Sequence, residues 1–470
     1  MALTKSVVEI VEQDTSGLLG SHPSWQRIEL REVAQVLNGF PFDSTGFNAE
    51  TGMPLARIRD VVAGCTSTRY DGPYDQAYVL ADGDLLVGMD GDFNCGRWRG
   101  GPALLNQRVC KISVDESVYE PRLLDALLPV YLSAINAETS SVTVKHLSSR
   151  TIEGIWLPLP PRAEQVRLAD KLDELLGDLV SATRELKAVR LKLARYRQSL
   201  LRSAVEGSLT ADWRLERARR PLDVGLLPDG WSWVPLSQCC SVVSGYAFSS
   251  KSFIASGIPV AKIANVGHGC FVDRSGMDHL AVSFEESHAD FLVEPGDILI
   301  ALTRPITNDR LKSCRYPDGR PRALLNQRVA ALRPLDPDLA SYLFHVTCST
   351  YFRECMAAAA TQTLQPNVSP HSLRSFLVPI PPTEEAVFIA DCLDQALSGA
   401  TAVESEVDRA LDRCNAQHQN ILRAAFSGQL VPQDPSDEPA SVLLERIRAQ
   451  RPVSAAAAKR KPGRRVKVAA

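Results

Sequence analysis

Residues 158–210 read PLPPRAEQVRLADKLDELLGDLVSATRELKAVRLKLARYRQSLLRSAVEGSLT, and this stretch decides the architecture. The prolines exclude regular helix at its entry and stiffen the chain there. Beyond them runs a helix-forming segment with no proline and one internal glycine, Gly177. Its apolar positions are Leu168, Leu172, Leu175, Leu179, Ala182, Leu186, Val189, Leu193, Tyr196 and Leu200, and the steps between them alternate four and three. That rhythm is a heptad seam, narrower than the stripe of an ordinary surface helix. About 40 residues of helix span roughly 60 Å. Such a rod cannot bury its seam alone and requires a partner.

Residues 379–431 supply one: PIPPTEEAVFIADCLDQALSGATAVESEVDRALDRCNAQHQNILRAAFSGQLV. The two stretches align without a gap, Pro158 on Pro379, Leu200 on Ile421 and Gly207 on Gly428. The glycines are natural C-terminal stops. The second seam (Ile389, Leu393, Ala396, Ala400, Val403, Val407, Ala410, Cys414, Gln417, Ile421) keeps the rhythm with smaller residues. An intramolecular, antiparallel coiled coil is expected.

The duplication extends beyond the rods. GYAFSSKSFIASGIPVAKIANV at 245–266 answers GFPFDSTGFNAETGMPLARIRDV at 39–61, and the hexapeptide LLNQRV occurs at 104–109 and again at 324–329. The period of about 220 residues is far longer than that of a solenoid repeat. The chain therefore divides into an N-terminal extension (1–22), an α+β globule (23–160), a long helix (161–210), a linker (211–229), a second globule (230–381), a second long helix (382–431) and a basic, disordered tail (432–470). Within the first globule, 25–36 suggests a short strand and helix, 121–137 a helix, and 141–160 strands leading to the proline run.

At 470 residues with 45% apolar content, the chain can fill several cores. No run approaches the roughly 18 apolar residues of a membrane span, and the N-terminus lacks a signal-peptide core. Eleven irregularly spaced cysteines with no CxxC pair point to reduced thiols and a cytoplasmic location. The formal net charge is −3, yet the tail after Gln450 carries Arg451, Lys459, Arg460, Lys461, Arg464, Arg465 and Lys467 and no acid. Without those seven charges the remainder is −10. Any nucleic-acid surface on the body must be local, with partners sharing phosphate neutralisation.

Signatures of catalysis are scarce. The sequence holds neither a GxxxxGK[ST] phosphate loop nor a GxGxxG placed to open a helix after a strand. Asp90, Asp92 and Asn94 begin like a calcium loop, but the glycine falls one place late and the twelfth position is Gly101. His268, Cys270, His279 and His288 are crowded without standard zinc spacing. A polar turn is the simpler reading of the first group, and unrelated side chains of the second.

Binding signatures are better. Arg57 and Arg59 alternate on an expected strand and would share a face. Arg97, Trp98 and Arg99 occupy a glycine-rich turn. Asn106, Gln107 and Arg108 include the side chains best suited to base edges. Lys145 and His146 lie in the next crossing, and the second globule offers Lys262, Arg304, Arg310, Lys312, Arg315, Arg328, Gln365 and Asn367. Because NQR recurs in both halves, its Asn and Gln are read as structural amides. Residues that differ between halves, Arg97–Arg99 against Arg304–Arg315, are the better specificity candidates.

Taken together, LPLPPRAEQVRLADKLDELL with YRQSLLRSAVEGSLTADWR, their repeats VPIPPTEEAVFIADCLDQAL and HQNILRAAFSGQL, and the globular GDLLVGMDGDFNCGRWRGGPALLNQRV and PGDILIALTRP…LLNQRV resemble the specificity subunit of type I restriction-modification systems. The resemblance covers residues 25–431. The second rod has Glu384-Glu385 where the first has Glu164-Gln165. The resemblance implies an α+β protein with two target recognition domains separated by an antiparallel coiled coil. Each domain would read half of a split DNA site, and the helices would set the spacer. It implies no catalysis and no cofactor in this chain. S-adenosylmethionine, ATP and Mg would belong to partners: two methyltransferase subunits and, in a restricting complex, two restriction subunits. Double-stranded DNA is the expected ligand, with no membrane. Two other readings compete: a DNA-acting enzyme with duplicated domains, and a coiled-coil adaptor without DNA readout.

Overall fold

The computed structural model describes residues 4–139, 145–217, 227–273 and 276–457. The linker residues 218–226, the stretch 141–144 and the tail from 458 onward lie outside the described residues. The chain forms two compact units. One comprises Met1–Glu185 with Ala410–Ala470, the other Leu186–Arg409.

Each unit is built on the same three β-ladders. In the first, Gln26–Glu29 pairs antiparallel with Trp156–Leu159, the strand that feeds the proline run. A four-stranded antiparallel sheet follows the order Ala34–Asn38, Val109–Val114, Leu85–Gly88, Cys95–Arg97. A third sheet runs Phe47–Asn48, Arg69–Tyr70, Met53–Ala56, Ala103–Leu105, Val79–Leu80, with a parallel pair that sets Leu55 opposite Leu104. The second unit repeats this. Ser232–Pro235 pairs with Leu377–Ile380, Ile298–Ala301 sits inside the second four-stranded sheet, and a parallel pair sets Val260 opposite Leu324. Leu85–Gly88 and Ile298–Ala301 are buried at every residue, as unbroken apolar runs in a central strand should be.

The repeated hexapeptide is the crossing between two sheets. Leu104–Leu105 end one strand, Asn106 to Arg108 turn, and Val109 opens the next. The backbone of Gly39 passes so close to this turn that a Cβ there would lie 2.0 Å from the Asn106 carbonyl oxygen, and Gly245 meets Asn326 at the same distance. Only glycine permits that approach.

Arg162–Val205 and Thr383–Phe426 are helices of 44 residues each. In the first unit Leu168 and Leu172 share a core with Ile421, Leu422 and Phe426. In the second, Ala204 and Val205 share a core with Ile389 and Leu393. The start of each helix thus packs beside the end of the other, and the pairing is antiparallel as expected. Midway the seam departs from the heptad reading. Val189, Tyr196 and Val403 are exposed, while Arg197 donates to Glu404 at 2.5 Å and to Thr401 at 2.9 Å. A straight α-helix repeats every 3.6 residues rather than 3.5, so a strict heptad seam drifts off the contact line over such a length. Among the described residues, Thr383–Phe426 alone is long and apolar enough, by length and composition, to cross a membrane. Its Ala386, Ile389, Ala390 and Leu393 are buried in the second unit's core.

Several segments outside the two globules' expected elements hold short helices. The N-terminal extension holds helix Val7–Glu12, closed by a Ser6/Glu9 capping box, with Val7, Ile10 and Val11 buried. The stretch 141–160, read as strands, contains helix Ser149–Glu153 capped by Ser148. The linker begins as helix Ala211–Glu216, with Trp213 and Arg214 buried. The tail is not disordered from 432. Ala440–Ala457 is helical, and Leu443, Leu444 and Ile447 join the first unit's core. The ungapped match places Glu164 on Glu385 rather than on Glu384, with Gln165 on Ala386, and both carboxylates are fully buried where their helices begin. Glu164 accepts from Trp25 Nε1 at 3.0 Å and from Gln433 Nε2. Glu385 accepts from Thr210 Oγ1 at 2.7 Å and from Arg214. Burial pushes the Glu164 carboxyl up from its ordinary value.

Candidate nucleic-acid interface

In each unit three segments and one aromatic meet at a polar rim. The Asn106–Arg108 turn holds the end of strand Leu85–Gly88: Met89 N donates to Arg108 O at 2.9 Å. The crossing after the helix Pro121–Ala137 holds it from the other side. There Leu147 N donates to Met89 O at 2.7 Å and Gly91 N to Lys145 O at 3.0 Å. Phe40, 42% exposed, bridges to Asn106. The second unit reproduces each bond. Leu302 N donates to Arg328 O at 2.9 Å, Val368 N to Leu302 O at 2.9 Å, Arg304 N to Pro366 O at 2.8 Å, and Tyr246, 41% exposed, bridges to Asn326.

The side chains differ where the backbone agrees. In the first unit Asp90 accepts from the His146 ring, with Nδ1 2.6 Å away, and lies 3.4 Å from Arg108 Nε. In the second, Thr303 stands where Asp90 does and donates to Asn367 Oδ1 at 3.1 Å. Arg304 and Arg328 are exposed, and neither side chain has an ion pair or hydrogen bond to a described residue. A cleft of about 290 Å³ opens beside the first rim, lined by Phe42, Phe47, Arg57, Asn106, Gln107 and Arg108. Arg57 lies over the Phe47 ring at 5.6 Å, as Lys262 lies over Phe253 at 3.8 Å.

Of the residues singled out from sequence, Arg57, Arg108, Lys145 and His146 fall at or beside the first rim. Arg304, Arg328, Gln365 and Asn367 fall at the second, with Arg310 and Lys312 on its adjoining hairpin and Lys262 flanking. Lys145 is committed to Asn136, its Nζ 2.9 Å from Oδ1. Arg310 donates to His268 O at 3.1 Å. Arg57 and Arg59 are not on a strand. The strand ends at Ala56, and Asp60 accepts from Arg57 N at 3.0 Å to begin a 3-10 turn. Arg59 binds Thr68 Oγ1 at 2.8 Å.

The glycine-rich turn belongs elsewhere. Arg97 pairs with Leu85, at the end of the ladder opposite the rim, and binds Asp125 at 2.9 Å. Burial nevertheless holds the Asp125 carboxyl above its ordinary value. Trp98 is fully buried and donates to Gly101 O at 2.6 Å. Arg99 is exposed on the same remote turn, where its backbone N donates to Gly64 O. Arg315 occupies Arg97's place in the second sheet, 5.3 Å from the Phe344 ring. Strand alternation in sequence does not say which end of a ladder a residue reaches, and these four are framework or remote.

Asn106 is structural, with its Oδ1 accepting from Gln107 N at 2.9 Å. Gln107 and Gln327 are exposed and make no side-chain hydrogen bond to a described residue, so in the first unit the two amides split into one framework and one free group. Sequence reading gave these glutamines a structural role, took Asp90 for part of a polar turn, and passed over Phe40 and Tyr246. The shared glycine-aromatic pairs, 39–40 and 245–246, were the available signal. Among the described residues no group of His, Cys, Asp and Glu could hold a metal ion. His268 contacts Leu311 O and Thr307 Oγ1, each at 3.0 Å, and His288 stacks with Phe284.

Two copies of one α+β head, each displaying polar and aromatic groups on an identical backbone cradle, define a modular recognition protein. The sequence matches the type I restriction modification DNA specificity domain over residues 23–189 and 228–412. The EcoBI specificity subunit of Escherichia coli is 35% identical, covering 97% of this chain and 98% of that one. The EcoKI specificity subunit of Escherichia coli K12 is 26% identical over 69% of this chain and 70% of its own. A solved chain described under "Structural basis underlying complex assembly and conformational transition of the type I R-M system" is 18% identical. It covers 87% of this chain and 98% of itself with a TM-score of 0.56, a likeness of fold. The chain belongs to the type I restriction-modification DNA specificity family.

Proposed function

We propose that this chain is the sequence-reading, non-catalytic subunit of a type I restriction-modification complex, each unit contacting one half of a bipartite DNA site through its rim. The observation that carries this is the duplicated cradle: the same backbone bonds hold Arg108 and His146 in one unit and Arg328 and Asn367 in the other, with Gln107 and Gln327 exposed beside them. Amides suit adenine edges and guanidinium forks suit guanine, so equal cradles with unequal side chains fit two different half-sites. Arg57, Lys262, Arg310 and Lys312 flank the rims as phosphate contacts, which position without specifying. The paired helices act as the spacer and as the seat of two methyltransferase subunits. Exposed Val189, Leu191, Tyr196 and Val403 support such a seat. S-adenosylmethionine, ATP and Mg belong to those partners and to any restriction subunits.

The test is a methylome. Cells carrying this chain with its methyltransferase partner should show adenine methylated in one split, asymmetric motif. Absence of any bipartite motif overturns the reading.

A further inference from the structure

Gly91 and Arg304 hold the same place in the two units. Each follows the rim residue, Asp90 or Thr303, and each donates its N–H to the carbonyl of the matching crossing, Lys145 or Pro366. Each has positive φ, 74° at Gly91 and 45° at Arg304. Glycine adopts that conformation freely, whereas a side chain there is strained. The second unit therefore retains an arginine where its duplicate shows that glycine satisfies the fold. Strain kept at one exposed position points to use of the side chain.

What surrounds Arg304 agrees. Its guanidinium has no ion pair or hydrogen bond to a described residue, and the acid of the first rim is replaced by Thr303. The loop it sits on is braced. From Arg304 the chain enters a hairpin, Ile306–Thr307 with Arg310–Leu311, that has no counterpart among the described residues of the first unit. Arg353 clamps the hairpin tip through the Asp309 carboxylate and carbonyl. A loop braced by these bonds and presenting a planar fork suits a base edge. A phosphate could be met by any mobile cation.

We propose that Arg304 reads a guanine in the half-site of the second unit, as that unit's specificity-determining residue. The inference rests on the DNA-reading function above. The experiment compares the methylomes of wild-type, Arg304→Gly and Arg304→Lys chains, each with the partner methyltransferase. Arg304→Gly restores the residue of the duplicate, so the chain should melt at the wild-type temperature or above. The expected result is a motif unchanged except at one guanine of one half-site, where discrimination falls tenfold or more. Lysine, which keeps the charge but not the fork, should rescue little of it. An unaltered motif overturns the proposal. So does a uniform loss across all sites with a shallower salt dependence, the mark of a phosphate contact. A wild-type complex with no bipartite motif would instead sink the function on which the proposal rests.

Discussion

At the scale of single residues, burial separates framework from surface more sharply than chemistry does. Trp98 and Arg97 carry recognition chemistry, yet Trp98 fills a core and Arg97 lies against Asp125. The recurrence of NQR had Gln107 read as a structural amide, while Arg108 was legible as a candidate. Asp90 was not, since nothing local announces that it will meet His146 across 56 residues. His345 offers a test of the buried chemistry. It is 4% exposed, and burial holds its imidazole below the ordinary value of 6.5 despite Asp394, 2.8 Å away. The unfolded chain takes up this proton first as pH falls, so the stabilisation by neutral His345 is present at pH 7 and is lost below about 6.5. Denaturant melts at pH 7.5 and 5.5 should show His345→Gln losing less stability than wild type on acidification, with a difference of at most about 1.4 kcal/mol per pH unit. Parallel behaviour of the two proteins would show that the histidine does not titrate differentially.

At the scale of elements, long periodic segments were plain in the sequence and short capped ones were not. The 121–137 helix and both 44-residue helices declare themselves by spacing. Ala211–Glu216 and Ser149–Glu153 are too short for periodicity to show, and each depends on a tertiary partner. For Ala211–Glu216 that partner is Glu385: Arg214 Nη1 lies 2.5 Å from its Oε1 with both side chains at or below 1% exposure. Removing one member of such a pair strands a charge in the interior. Arg214→Ala should therefore destabilise the second unit by about 3–5 kcal/mol, read as a lowered melting transition. A melt within a degree of wild type would mean that water reaches Glu385 and the pair contributes little.

At the scale of the whole molecule, the duplication was legible from LLNQRV and the proline runs. What sequence could not show is that the last segment completes the first unit. Gln433 binds Glu164, Arg167 binds Asp437 at 2.6 Å, and Leu443, Leu444 and Ile447 are buried in that core. A chain ending at residue 457 should melt like the full-length protein. One ending at residue 432 should lose more than about 3 kcal/mol, given the apolar side chains uncovered. Equal stability of both would show the terminal helix to be an ornament. The composition of the first unit, residues 1–185 with 410–470, has a consequence for birth on the ribosome. At about 5–20 residues per second, roughly 10–50 s separate the emergence of Leu172 from that of Ile421 and Phe426, which cover it. The unit translated first must wait, its core open, while the second unit, contiguous in the chain, can close ahead of it. Nascent chains stalled after residue 409 should accordingly resist protease across the second unit and be cut within the first.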